Sequence, residues 1–208
     1  EILTSICDAA SMIARRLGLG HAVQDCVAQQ FERWDGKGPY GMAADEVSLP
    51  ARVGEVATQA VIFLDAVGPE AALAMVEQRA GGWFDPGVAA AFGKAGPGLM
   101  EELVAADPWQ ALLAAEPTPV AHIDESDVDR VARCFADMVD LKSPYTVGHS
   151  SEVAQLAEAA ARTLGLAEGD VVALRRSALL HDLGRVGVSN GVWDKKGPLT
   201  RSEWEQVR

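Results

Sequence analysis

Apolar residues recur along this chain at three- and four-residue spacings, with many alanines among them, and alternation of β-branched residues is scarce. The pattern predicts an all-α protein. Ser5 to Leu17 reads as an amphipathic helix stopped by Gly18 and Gly20. Ala22 to Trp34 reads as a second, stopped by the turn Asp35-Gly36-Lys37-Gly38-Pro39. After a loop to Pro50, Ala51 to Ala66 predicts a strongly apolar helix. Pro69 opens another to Ala80, and Asp85-Pro86 opens a third to about Lys94.

From Ala106 to Pro119 the text turns to Asp-Pro-Trp and Glu-Pro-Thr-Pro, too rich in proline for one continuous helix and suited to a linker. The expected units are therefore residues 1–118, linker included, and 119–208. In the second, Asp124 to Asp140 predicts a helix with an acidic cap. His149 to Leu164 predicts one ended by Gly165, and Asp170 to Leu183 one ended by Gly184; a further helix starts at Thr200.

With 208 residues and 49% hydrophobic content, the chain can bury a core for one large or two small domains. No apolar run approaches the roughly 18 residues of a membrane span, and no signal-peptide pattern opens it, so a cytoplasmic location without a membrane partner is expected. The net charge of −12 repels polyanions and argues against nucleic-acid binding by this segment. Residues 1–115 hold seven basic and fifteen acidic residues, against eleven and fifteen in residues 116–208, so the cations concentrate in the second part. Cys7, Cys26 and Cys134 form no CxxC pattern and read as buried free thiols. Trp83 and Trp109 read as core or interface anchors, and His21 and His122 as surface residues.

The chemistry concentrates at His181-Asp182, an ionisable pair set among leucines where burial is costly unless something compensates it. A bound cation is one such compensation. Adjacent helical positions point about 100° apart, so an imidazole and a carboxylate there flank one ion beside the helix, with His149 at the start of the preceding helix as a third ligand. Imidazole nitrogen with carboxylate oxygen suits Mn, Fe, Co, Ni or Zn better than Ca or Mg. Such a metal lowers the pKa of a bound water toward neutrality and polarises a phosphoryl oxygen. The bland alternatives are a His-Asp dipeptide of the common kind and, at His149 after Gly148, a helix cap or a core histidine with a satisfied ring; the dipeptide alone favours these.

The flanking text changes the balance. Asp-Leu-Lys-Ser-Pro-Tyr-Thr-Val-Gly-His-Ser (140–150), Leu-Leu-His-Asp-Leu-Gly-Arg-Val-Gly-Val (179–188) and Trp-Asp-Lys-Lys-Gly-Pro-Leu-Thr (193–200) together resemble the front of an HD-GYP domain. That resemblance implies a helical HD fold, a site of two or three divalent transition metals, and hydrolysis of cyclic di-GMP. It makes His149, His181 and Asp182 metal ligands, and assigns catalytic roles to Asp182 and to Arg185, which stands where the family usually has a phosphate-binding lysine. Guanidinium binds phosphate in bidentate fashion, so the role survives the change. Lys142, just before the His149 helix, is a weaker candidate for phosphate.

Residues 32–42, 47–53 and 83–86 resemble the rear of the same domain, in degraded form. Gln30-Phe31 replaces its His-His pair, Thr58 an aspartate ligand, and Gly38-Pro39-Tyr40 inverts the Gly-Tyr-Pro order. The chain thus resembles a fragment of a tandem protein whose second unit would find its remaining ligands beyond Arg208. The expectation is a metal-dependent phosphohydrolase of the cyclic di-GMP phosphodiesterase type, acting on a cyclic dinucleotide or another nucleotide. A homodimer and an output domain fused beyond the chain are counted among its partners. The alternative is a catalytically silent HD scaffold that binds a nucleotide or partner and controls an output domain.

Overall fold

The computed structural model describes residues 2–116, 118, 120 and 122–208; Pro117 and Pro119 of the expected linker lie outside the described residues. The chain divides into two compact units, Glu1–Ala121 and His122–Arg208. Among the described residues it is all-helical, with a single isolated bridge between Ala80 and Phe84 and no strand, as the periodicity requires.

In the first unit, α1 (Ile2–Arg16) packs on α2 (His21–Ala28), and α3 (Leu49–Val67) packs on α4 (Pro69–Arg79). Only Gly68 separates the latter two, and its φ of 98° is a value that side-chain-bearing residues rarely adopt. Helix α5 (Pro86–Ala105) starts at Asp85, whose carboxylate accepts the N–H groups of Gly87 and Val88. Val56, Ala60, Met75, Val76, Phe84 and Ala89 form the core between these helices, each large side chain worth roughly 1.5–3 kcal/mol on burial.

Three expectations need correction here. Helix α2 ends at Ala28 rather than Trp34, because the following residues are bound to distant backbone. Gln29 Oε1 accepts the Ser48 N–H (2.8 Å), and the Trp34 N–H donates to the Trp83 carbonyl (3.0 Å), which pulls the chain out of helical geometry. Helix α5 continues eleven residues past Lys94 and through Pro97. An interior proline costs about 3 kcal/mol; burial of Met100 against Leu64 and Ala72 offsets it. The linker region contains α6 (Pro108–Ala114), capped by Asp107 on the N–H groups of Trp109 and Gln110. Trp109 there is 64% exposed and is no core anchor, whereas Trp83 is half-buried.

The second unit is built on α7 (Val128–Asp140), α8 (His149–Thr163) and α9 (Glu168–Leu180). Its core is made of Ala132, Ala136, Ala154 and Ala178 with Leu179, small side chains that let helices approach closely. Arg176 and Arg175 of α9 clamp Asp129 of α7, and the Arg176 guanidinium first of all holds the Asp129 carboxyl below its ordinary range. A 3-10 turn (Leu183–Gly187), α10 (Asn190–Trp193) and α11 (Arg201–Val207) complete the unit, α11 opening with the Thr200–Glu203 capping box.

Cys7 and Cys134 are buried free thiols, whereas Cys26 is only half-buried. His21 and His122 are exposed as expected. Among the described residues no helix is long and apolar enough to cross a membrane.

Candidate metal centre

His149 is the first residue of α8 and follows Gly148, whose φ of 81° lets the chain turn sharply into the helix. Its orientation is set from behind by a carboxylate nine residues earlier. Asp140, at the end of α7 and 2% exposed, accepts both the Ser150 N–H (2.9 Å) and the Ser150 hydroxyl (2.7 Å). The intervening loop is tied down as well: the Thr146 hydroxyl lies 2.9 Å from the Asp140 carbonyl, and the Asn190 side-chain amide donates to the Lys142 carbonyl at 3.2 Å.

His181 is the C-cap of α9 rather than part of its interior, and Asp182 begins the 3-10 turn that follows. The expected helix to Leu183 therefore ends three residues early, and the two side chains are aimed by a cap and a turn. His181 Nδ1 lies 2.8 Å from the Ala178 carbonyl. A carbonyl only accepts, so the Nδ1 N–H donates there and Nε2, on the other side of the ring, is turned toward Asp182.

Both imidazoles converge on one oxygen. Asp182 Oδ2 lies 3.2 Å from His181 Nε2 and 3.6 Å from His149 Nε2, and the two rings are 5.4 Å apart. The ligand atoms of these three residues all lie within 4.8 Å of one another. Ligand atoms held about 2.1 Å from a tetrahedral ion sit roughly 3.4 Å apart, so the separations suit a common ion. Asp182 Oδ2 is itself buried and accepts no well-directed hydrogen bond. A buried carboxylate oxygen without a well-directed hydrogen bond, approached by two imidazole nitrogens, is an arrangement a divalent cation satisfies. His149 and His181 remain 40% and 36% exposed at the side chain, leaving an open approach.

Arg185 stands one turn beyond Asp182. Its Nη1 forms an ion pair with Asp182 Oδ2 at 2.7 Å, and its guanidinium lies 4.5 Å from the centre of the Trp193 ring. The structure thus brings together all four residues singled out from the sequence: His149, His181, Asp182 and Arg185. Lys142 sits on the loop before α8, where its carbonyl accepts from Asn190, and its side chain forms no hydrogen bond or ion pair with these residues. The sequence did not point to Asp140, Ser150 or Trp193. Asp140 and Ser150 are ten residues apart across a loop, and Trp193 stacks on Arg185 only because the 3-10 turn folds back.

In the first unit the degraded motif does other work. Buried Glu32 accepts the N–H groups of Tyr40 (2.6 Å) and Met42 (3.1 Å), so Gly38-Pro39-Tyr40 wraps its carboxylate. Tyr40 then donates its hydroxyl to Asp8 of α1 at 2.6 Å, which pushes its own pKa up to about 12.

Comparison with known proteins agrees with this geometry. Residues 146–205, which hold all four site residues, match the family described as HD domain, and the second unit carries an HD domain. Over its whole length the chain is homologous to the 3'3'-cGAMP-specific phosphodiesterase 3 of Vibrio cholerae, with 33% identity over 213 residues. The 3'3'-cGAMP-specific phosphodiesterase 1 of the same organism is 35% identical over 78 residues, covering 38% of this chain and 18% of that protein. A crystal structure of a cyclic GMP-AMP specific phosphodiesterase of V. cholerae superposes with a TM-score of 0.75 at 30% identity over 99% of this chain. The chain spans about half the length of these full-length matches, 46% of the first relative and 51% of the crystallised chain. It is thus related to HD phosphohydrolases, and His149, His181 and Asp182 form its candidate metal group.

Proposed function

We propose that the second unit is the metal-binding half-site of a cyclic-dinucleotide phosphodiesterase, with 3'3'-cyclic GMP-AMP as substrate. The observation that carries this reading is the convergence of two imidazoles on the buried Oδ2 of Asp182, beside its ion pair with Arg185. Cyclic di-GMP is the substrate that the sequence motifs suggest; the names of the V. cholerae relatives favour the mixed dinucleotide.

In this reading His149, His181 and Asp182 hold a divalent transition metal, of the class Fe, Mn, Ni, Co or Zn. When bound, such a metal supplies Lewis acidity toward a phosphoryl oxygen and acidifies water. The protein's own part is positional. The Ala178 carbonyl keeps the His181 proton on Nδ1. The Asp140–Ser150 pair fixes the first turn of α8, and Trp193 holds Arg185 beside the carboxylate. Arg185 neutralises Asp182 and meets the charge that develops on the phosphoryl oxygens.

The test measures metal content by elemental analysis on the 208-residue chain and on a protein extended past Arg208, each beside a His181→Ala, Asp182→Ala control. Hydrolysis of 3'3'-cyclic GMP-AMP and of cyclic di-GMP is then assayed. Metal and turnover in the extended protein, both lost in the control, are expected. A folded extended protein that stays metal-free and inactive would overturn the reading in favour of a silent signalling scaffold. That second reading draws on the first unit, where Glu32 is given over to holding a loop.

A further inference from the structure

Arg185 and the candidate metal group share one atom. Arg185 Nη1 lies 2.7 Å from Asp182 Oδ2, the same oxygen that His181 Nε2 and His149 Nε2 approach at 3.2 and 3.6 Å. The contact is one of charge, since Oδ2 accepts no well-directed hydrogen bond. With side chains 26% and 13% exposed, Arg185 and Asp182 are shielded from most of the water and salt that screen a surface pair. The arginine is also held where it stands. Its backbone N–H donates to the Asp182 carbonyl at 2.9 Å, and its guanidinium lies 4.5 Å from the centre of the Trp193 ring.

Charge decides what that sharing does. Histidine binds a metal as the neutral imidazole, so the three ligands bring one negative charge between them. The Arg185 guanidinium, always protonated, cancels it. A dication entering there meets a set of zero net charge and a like charge already on the oxygen it must take, and that repulsion weakens binding. A partner that merely orients a ligand has the opposite sign, because its removal loosens the metal about 10–100-fold. The contact falls on the ligand oxygen itself and lacks hydrogen-bond direction, which favours competition. A phosphate group relieves it. Guanidinium pairs with phosphate through two parallel N–H donors, and among the described residues none of the five on Arg185 makes a well-directed hydrogen bond.

Resting on the reading of His149, His181 and Asp182 as metal ligands, we propose that Arg185 is a resident counter-cation that makes metal loading depend on an anionic phosphate. The guanidinium keeps metal affinity low, and a phosphate that engages it relieves Asp182, so that ion and phosphate bind cooperatively. The coupling is reciprocal: the metal tightens the phosphate by the factor by which the phosphate tightens the metal.

The test measures manganese binding to the 208-residue chain by electron paramagnetic resonance of the free ion, with and without inorganic phosphate. Parent, Arg185→Gln and Arg185→Lys are compared, each corrected for binding by a His181→Ala, Asp182→Ala chain. Glutamine keeps a planar amide and removes the charge; lysine keeps the charge. Without phosphate, Arg185→Gln is expected to bind manganese about tenfold tighter than the parent, and Arg185→Lys within about threefold of it. Phosphate is expected to tighten manganese about tenfold in the parent and about threefold or less in Arg185→Gln. Equal or weaker manganese binding by Arg185→Gln, or a phosphate effect of the same size in both, overturns the proposal and leaves the metal centre standing. If Arg185→Gln does not fold, Arg185→Met replaces it with the same expectation, and a parent whose manganese affinity ignores phosphate overturns the proposal without any variant. Manganese bound by none of the three chains removes the centre and the proposal with it.

Discussion

The Asp140 carboxylate holds Ser150 twice, by the backbone N–H at 2.9 Å and by the hydroxyl at 2.7 Å, and thereby joins the end of α7 to the first turn of α8. His149 is the neighbour of the residue so held. The pair is buried, with Asp140 at 2% and Ser150 at 0% exposure, so water does not replace a lost bond. Ser150→Ala is expected to destabilise the chain by about 1–3 kcal/mol, read by urea denaturation. Metal affinity should fall with it; unchanged stability and affinity would remove Asp140 and Ser150 from the support of the centre.

Loading the candidate centre should raise thermal stability, because a cation that binds only the folded state stabilises it by mass action. With zinc or manganese at about 100 times its dissociation constant, the gain is about 2.7 kcal/mol. Chelation should reverse it, and His181→Ala should abolish it. A melting temperature indifferent to metal in the parent chain counts against the centre.

Gly38→Ala tests the collar around Glu32. A Cβ at position 38 would lie 2.3 Å from Glu32 Oε2 and 2.7 Å from Glu32 Cα, and the second of these is backbone that does not swing aside. A loss of roughly 1–3 kcal/mol is expected, measured by chemical denaturation. A neutral substitution would show that the loop moves freely away from Glu32.

Glu55 predicts a pH dependence whose sign follows from its raised pKa, caused first by burial. The folded state holds this proton more tightly than the unfolded chain, so the contribution to stability is complete below the unfolded value of about 4.3. It is lost as pH rises through the folded pKa. Glu55→Gln should flatten that part of the stability-versus-pH curve. An identical slope in parent and variant would show that Glu55 titrates normally.

The helices themselves are legible in the sequence wherever a local signal exists. Pro69 and Asp85-Pro86 mark helix starts because proline at the first turn sacrifices no bond and aspartate caps free N–H groups. Long-range bonds set the limits of that approach. The end of α2 at Ala28 depends on Ser48 and Trp83, which lie far along the chain, and the passage of α5 through Pro97 depends on a buried Met100. No window of neighbouring residues contains those partners.

By itself the sequence determined the all-helical class and the identities at the centre: His149, His181, Asp182 and Arg185 are recognisable by residue type, order and flanking text. Only the tertiary structure decided how they meet. It put His181 and Asp182 at a helix end instead of inside the helix, set His181 Nδ1 against the Ala178 carbonyl, buried Asp182 Oδ2 between the two imidazoles and Arg185, and laid Arg185 on Trp193. The reason is physical. Periodicity and caps are written in neighbouring residues, whereas ligand direction, burial and ion pairing arise from groups tens of positions apart that packing alone brings together.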